Sequence, residues 1–124
     1  WNVWDASTSI AGNAPDVRSG GKALQMGPAA GGIGYHASAS PGQVFNFKAW
    51  SKRNQSDSGA QMGLNFFDSN WNQVGSVASR EVTGAAYQEY NLQATAPANT
   101  SIVMIWFYKS GPGFQFVDDV CLTR

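Results

Sequence analysis

Two adjacent aspartates stand in the middle of the last strand-like segment of the chain. The segment reads GFQFVDDVCLTR, residues 113–124, and its aspartates are Asp118 and Asp119. Because successive side chains of a strand point to opposite faces, one carboxylate should share a face with Phe116 and Val120. A carboxylate on an apolar face is costly unless it is paired or bound to a metal. The residues that hold this charge are therefore the first candidates for a site.

A second set of side chains combines tryptophan with uncharged amides. Alternation places Met62, Leu64 and Tyr90 inward in the segments 61–67 and 87–95, which leaves amides outward. The outward amides are Gln61, Asn65, Asn91 and Gln93. An amide donates and accepts hydrogen bonds without a charge, as a sugar hydroxyl does. A tryptophan ring can stack on the apolar face of a sugar, so this combination is typical of a site for a neutral polyhydroxylated ligand.

The segment SIVMIWFYK, residues 101–109, is apolar on both faces. Periodicity alone leaves two inward sets open. These sets are Val103, Ile105 and Phe107, or Ile102, Met104, Trp106 and Tyr108. Such a strand is buried on both faces or carries a binding surface on one of them. Trp106 is therefore either a core residue or a stacking platform.

These side chains require a scaffold of strands. The chain has 124 residues, which is enough for one domain with one core. No helical pattern is present, and turn signals such as SPGQ at 40–43 and SGPG at 110–113 separate the strand-like segments. We predict strands at residues 1–4, 23–26, 33–37, 44–52, 61–67, 74–82, 87–95, 101–109 and 114–122. This series indicates a single all-β domain over residues 1–124, either a sandwich or a barrel.

The charge balance and the lack of long apolar runs argue against several classes of partner. Eight basic and eight acidic residues give a formal net charge of zero, so no basic field attracts nucleic acid or an anionic membrane. No apolar run is long enough to span a bilayer. The chain begins at Trp1 without a signal peptide, and we interpret it as a piece of a longer, multimodular protein.

The sequence also argues against an enzyme. Cys121 is the lone cysteine and His36 the lone histidine, and nothing pairs them as a nucleophile and its base or as metal ligands. A glycosidase needs two carboxylates across a cleft, but Glu81 and Glu89 lie in no pocket motif. A nucleophile-elbow G-x-S-x-G motif is also absent from the sequence.

Several motifs occur in an order that resembles carbohydrate-binding modules of the family 4, 9, 16 and 22 type, family 16 in particular. These motifs are SGGKALQM, SPGQVFNFKAWSK, FFDSNWNQVGS, AAYQEYNLQATAPANTSIVMIWFYK and FVDDVCL. The resemblance implies a jelly-roll β-sandwich of two antiparallel sheets. It further implies a secreted, monomeric, non-catalytic module that binds a neutral β-linked polysaccharide, of the glucan, mannan or xylan type. Such a module targets a covalently linked glycoside hydrolase or polysaccharide lyase to its substrate.

The resemblance also implies particular site residues. A structural calcium would be held by Asp118, with Asp16 as a co-ligand. The family usually places a Phe-Glu pair before the first tryptophan, and this chain begins at that tryptophan. The ligand-binding residues implied by the resemblance and the alternation together are Trp1, Trp4, Trp106, Lys48, Trp50, Gln61, Asn65, Asn91 and Gln93.

Two further interpretations remain from the sequence. The alternative function is a structural or adhesive spacer module of a secreted or cell-surface protein, which needs no outward tryptophan. Trp71 lies in the turn DSNWNQ, where glycine is more usual. It either extends a binding site or has no role, and we favour the second interpretation.

Overall fold

Ten short strands form in the computed structural model, which describes residues 2–3 and 8–124, without the side chain of Ala14. Trp1 and Trp4 therefore lie outside the described residues. The strands are β1 Asn2–Val3, β2 Thr8–Ala11, β3 Ala23–Met26, β4 Gly31–Ser38, β5 Val44–Arg53, β6 Ala60–Phe67, β7 Gln73–Glu81, β8 Gln88–Thr95, β9 Ile102–Lys109 and β10 Gln115–Thr123. One 3-10 turn spans Ala14–Asp16. In the part of the chain that is described, no helix has the length and apolar character needed to cross a membrane.

The strands form two antiparallel sheets of five strands each. The front sheet has the order β1-β4-β9-β6-β7, and the back sheet has the order β2-β3-β10-β5-β8. The inner faces of the two sheets pack on each other, as in a sandwich. The expected all-β jelly-roll sandwich is therefore confirmed.

The core consists of the inward sides of the longest strands. Phe45, Phe47 and Ala49 of β5 are fully buried, as the alternation predicts. Phe47 meets Phe107 of β9 with ring centroids 5.5 Å apart in an edge-to-face arrangement, which joins the two sheets.

Strand β9 now has a definite orientation. Val103, Ile105 and Phe107 are at most 1% exposed, so they form its core side. Met104 and Trp106 then point out of the front sheet, because neighbouring residues of a strand face opposite ways. The core buries only one of the two apolar faces of β9, so the other apolar face lies on the surface of the protein.

The sequence predicted most strands within a few residues but missed β2. Its sequence, TSIA, is short and half polar, and β2 lies at the edge of the back sheet beside β3. An edge strand of this kind is specified by the partner to which it bonds, here through the register Ile10 to Leu24. Local pattern therefore carries little signal for it.

By alternation, Asp118 is the carboxylate expected on the inward face with Phe116, Val120 and Leu122. It shares a face with Phe116, but that face is outward, and a β-bulge explains why. The register of β10 against β5 shifts between Asp118 and Cys121, and Asp119 has a φ of 48°, in the left-handed region. Before the bulge, Phe116 and Asp118 pair with the outward residues Lys52 and Trp50. After it, Leu122 pairs with the buried Phe47. The extra residue reverses the alternation, so Asp118 does not share the inward side of Leu122.

The inward and outward sides of β9 can be tested with two neighbouring substitutions. Phe107→Ala removes a fully buried ring, so we expect the free energy of unfolding to fall by about 3–5 kcal/mol. Trp106→Ala removes a partly exposed ring and should cause a clearly smaller loss. Urea denaturation followed by circular dichroism measures both changes. A larger loss for Trp106→Ala than for Phe107→Ala would contradict the orientation of β9.

Candidate functional site

Trp106 lies near the middle of the outer face of the front sheet, here called the front face. In the register of the sheet it pairs with Gly34 of β4 on one side and with Gly63 of β6 on the other. Neither neighbour has a side chain, so the indole is the only large group in its row between β4 and β6. The glycines of β4 and β6 thus leave room for the indole of Trp106 between these two strands.

The indole of Trp106 packs directly against Gly63. A Cβ atom at position 63 would lie 1.9 Å from Cζ2 of the ring, so no other residue type fits beneath it without moving the indole. The ring nitrogen, Nε1, donates a hydrogen bond to Oδ1 of Asn65 at 3.1 Å. Asn65 is only 6% exposed because it lies beside this ring. The glycine and the amide together hold the indole in one position.

The ring borders an open depression of about 370 Å³ on the front face. The lining residues are Gln61, Asn65, Val77, Met104, Trp106 and Tyr108. The lining is mainly apolar, and its polar groups are the amides of Gln61 and Asn65 and the phenol of Tyr108. Aromatic area with a few polar groups at its border can stack on a sugar ring and bind its hydroxyls. None of the lining residues carries a charge at neutral pH.

The predicted site residues are divided between the two sheets. Trp106, Gln61 and Asn65 come together on the front face, whereas four others point outward from β5 and β8 of the back sheet. These four are Lys48, Trp50, Asn91 and Gln93. The prediction that the amides lie on adjacent faces is therefore wrong, because β6 and β8 belong to different sheets.

The residues on the back sheet already have partners within the protein. The Gln93 side chain donates to Oδ1 of Asn46 at 3.0 Å. Asn91 donates to Glu89 at 3.4 Å. The guanidinium of Arg18 lies 3.7 Å from the ring centroid of Trp50 and covers one side of it. The back face therefore offers less free aromatic surface than the front face.

A second aromatic cluster on the front sheet was missed by the sequence analysis. Trp71, in the β6–β7 loop, lies with its ring centroid 5.0 Å from that of His36 and 5.3 Å from that of Phe67. The sequence signal for this cluster was a tryptophan at a position of the turn that favours glycine. Sequence alone does not show that this loop folds back toward β4.

The bulge aspartates are satisfied by the loop that precedes β3. Asp118 Oδ2 accepts hydrogen bonds from the backbone N–H groups of Arg18 and Ser19, each at 3.0 Å. Its other oxygen, Oδ1, accepts from the N–H of Asp119 at 2.8 Å. Asp119 forms an ion pair with Arg18 and accepts a hydrogen bond from Ser19 Oγ at 2.6 Å. The hydrogen bond from Ser19 lowers the pKa of Asp119, with a further contribution from Arg18.

Asp16, the other predicted calcium ligand, is paired with Lys52. The Lys52 ammonium donates to Asp16 Oδ1 at 3.2 Å and to the carbonyl oxygen of Pro15 at 2.5 Å. It also lies 4.9 Å from the ring centroid of Phe116 and 5.2 Å from that of Tyr87. Burial raises the pKa of the Tyr87 phenol, and the nearby carboxylates raise it further.

These contacts do not form a ready calcium site. Calcium prefers several free carboxylate and carbonyl oxygens, whereas the oxygens of Asp118 face N–H donors and those of Pro15 and Asp16 face an ammonium. Among residues 2–3 and 8–124, no group of three or more His, Cys, Asp or Glu could hold a metal ion. The Lys52 ammonium thus already places a positive charge at Asp16 and Pro15. The calcium stays a prediction from the resemblance.

No family model and no curated protein matches this sequence. Solved structures, in contrast, share its fold. A structure described as family 16 carbohydrate-binding module 2 superposes with a TM-score of 0.77 at 14% identity, covering 98% of this chain and 88% of its own. The enzymatically active domain of tailspike protein 4 of bacteriophage CBA120 also gives a TM-score of 0.77, at 17% identity.

A third structure contains the CBM22-1–GH10 modules of Clostridium thermocellum endo-1,4-β-D-xylanase 10B in complex with xylohexaose. It gives a TM-score of 0.71 at 13% identity and covers 100% of this chain. The chain spans only 17% of the tailspike chain and 26% of the xylanase chain, so it corresponds to one part of each. The chain therefore has the jelly-roll fold of carbohydrate-binding modules such as those of families 16 and 22.

Proposed function

We propose that this chain binds a neutral β-linked polysaccharide, of the glucan, mannan or xylan type, through its front face and without catalysis. The observation that carries this proposal is the indole of Trp106, held against Gly63 and by Asn65 beside an uncharged, mainly apolar depression. In this arrangement Trp106 stacks on a sugar ring, and Gln61 and Tyr108 bind hydroxyl groups. Asn65 acts as a positioning residue, because its Oδ1 is engaged by the indole.

The rest of the proposal concerns the setting of this module. Polysaccharides of this kind lie outside cells, so we propose that the protein is secreted and that the module targets a covalently linked enzyme to its substrate. Binding to a polymer raises the effective concentration of a linked enzyme on that polymer. The relation of the chain to a small part of the xylanase and tailspike chains supports attachment to a larger protein.

The function can be tested by affinity electrophoresis through native gels that each contain one soluble glucan, glucomannan or xylan. We expect one of these polymers to retard the protein. Trp106→Ala should weaken that binding by about 30-fold or more, since loss of a central aromatic contact costs at least about 2 kcal/mol. Gln93→Ala, on the opposite sheet, is the matched control and should migrate as the original protein does.

Two results would contradict the proposal. Migration unaffected by any of the three polymers would favour the spacer or adhesion module instead. Retardation that Gln93→Ala abolishes and Trp106→Ala leaves intact would move the site to the back face. The circular dichroism spectrum of each variant shows whether the fold is retained.

The support of the indole by Gly63 gives a second test. Gly63→Ala places a methyl group 1.9 Å from Cζ2 of Trp106, so the indole must move although it remains in the protein. We expect most of the binding loss of Trp106→Ala, together with a shift in tryptophan fluorescence. Gly12→Ala is the control, because no atom lies within 4 Å of its new Cβ. Unchanged affinity in Gly63→Ala would show that the position of the ring does not matter.

For the predicted calcium site, we infer that the Lys52 ammonium takes the place of the metal at Asp16 and Pro15, while backbone N–H groups satisfy Asp118. Lys52→Met leaves the Asp16 carboxylate and the Pro15 carbonyl without their donor. We expect the free energy of unfolding to fall by at most about 1.5–3 kcal/mol, the range for hydrogen bonds to charged groups, because Asp16 is partly exposed. The original protein should keep its thermal midpoint when a chelator is added. A midpoint that falls with chelator and recovers with calcium would instead establish the metal.

A further inference from the structure

Trp71 lies over the front face although its residue belongs to the β6–β7 loop. Its ring contacts His36 at an interplanar angle of 84° and Phe67 at 49°, so two rings from different strands support it. Trp71 is nevertheless 49% exposed. A tryptophan that is supported on two sides and half exposed has a large apolar surface free for contact.

The backbone of Trp71 is in a conformation that tryptophan rarely adopts. Its φ is 63°, in the left-handed region, where a bulky side chain is unfavourable and glycine is free of strain. Costly backbone conformations of this kind concentrate at sites of function. The turn by itself would favour glycine at position 71. The tryptophan is therefore better explained by a function of its ring.

The carboxylate of Asp68 stabilises this turn. Oδ1 accepts hydrogen bonds from the N–H groups of Asn70 at 2.8 Å and Asn72 at 2.9 Å, and the Asp68 carbonyl accepts from the N–H of Trp71 at 3.1 Å. Hydrogen bonds from Asn72 lower the pKa of Asp68. The turn thus holds the ring in place without any ligand.

The strand register relates the Trp71 cluster to Trp106. His36 shares a row of the sheet with Met104, one outward position along β9 from Trp106. Phe67 shares the next row, with Ile102. Outward rows are separated by roughly 7 Å along a strand, so the residues that support Trp71 lie about 7 to 14 Å from the row of Trp106.

The surface between the two aromatic groups is uncharged. Met104 and Asn65 occupy the row that follows Trp106, and Met104 is partly exposed. A strip of apolar and amide surface therefore continues along β9 from Tyr108 and Trp106 toward Trp71. Its length suits several linked sugars better than a single terminal sugar.

We propose that Trp71 is a second stacking platform, and that the front face binds an internal stretch of a neutral, extended glycan chain along β9. This proposal rests on the proposed function, since it extends the same site. Sugars at one end stack on Trp106, and sugars further along the chain reach Trp71. The affinity for oligosaccharides should therefore rise with their length.

The test uses Trp71→Gly and isothermal titration calorimetry with a trisaccharide and a hexasaccharide of the polymer that retards the protein. Glycine suits the φ of 63°, so the thermal midpoint should be unchanged or higher. The original protein should bind the hexasaccharide about tenfold more tightly than the trisaccharide, and Trp71→Gly should abolish this advantage. The affinity of the variant for the trisaccharide should stay within about twofold of the original value.

Trp71→Phe is the matched control, because it keeps both an aromatic ring and the strained backbone. It should keep most of the dependence on length and have a thermal midpoint below that of Trp71→Gly. The platform is ruled out if the original protein binds both lengths equally, or if Trp71→Gly keeps the advantage of the hexasaccharide. Binding of neither oligosaccharide by a protein that the polymer retards also rules out the extended site, whereas the absence of retardation by any polymer would contradict the proposed function itself.

Discussion

The burial of one side of β9 is the constraint on which the rest of this molecule depends. Phe107 packs edge to face on Phe47 across the two sheets, and Val103 and Ile105 are buried with it. A strand has only two faces, so this packing commits Met104 and Trp106 to the surface. The glycines beside Trp106 then decide how the indole lies. The apolar outer face of β9 exists because the core buries only the other face of this strand. The shape of that outer face is set by the glycines beside Trp106.

The sequence allowed the strands, their inward residues and the class of fold to be predicted, because alternation and turn residues are local signals. It could not place Gln61 and Gln93 on opposite faces of the molecule, since which sheet a strand joins depends on partners distant in the chain. It also missed the bulge, where Asp119 adds one residue to β10 and reverses the alternation after it. One inserted residue was enough to give Asp118 the wrong face.

The two faces of the sandwich have different chemistry. Around the bulge, Arg18 and Lys52 are paired with Asp119 and Asp16, and their cationic groups also lie over the rings of Trp50 and Phe116. These two ion pairs fasten the loop before β3 to the back sheet. On the front sheet the strip from Tyr108 to Trp71 is formed by apolar, amide and aromatic groups. This separation leaves the front face independent of the ion pairs that stabilise the loop.

Among the described residues, two tryptophans of the front face are supported by different parts of the fold. Trp106 belongs to a central strand, and its indole is held by Gly63 and Asn65 of the neighbouring strand β6. Trp71 belongs to a hairpin loop whose backbone is better suited to glycine. A single codon change can therefore remove or restore the ring at position 71, with little risk to folding. If both rings stack on sugars as proposed above, the preference for long or short glycans can diverge rapidly among descendants, while Trp106 on β9 stays under constraint.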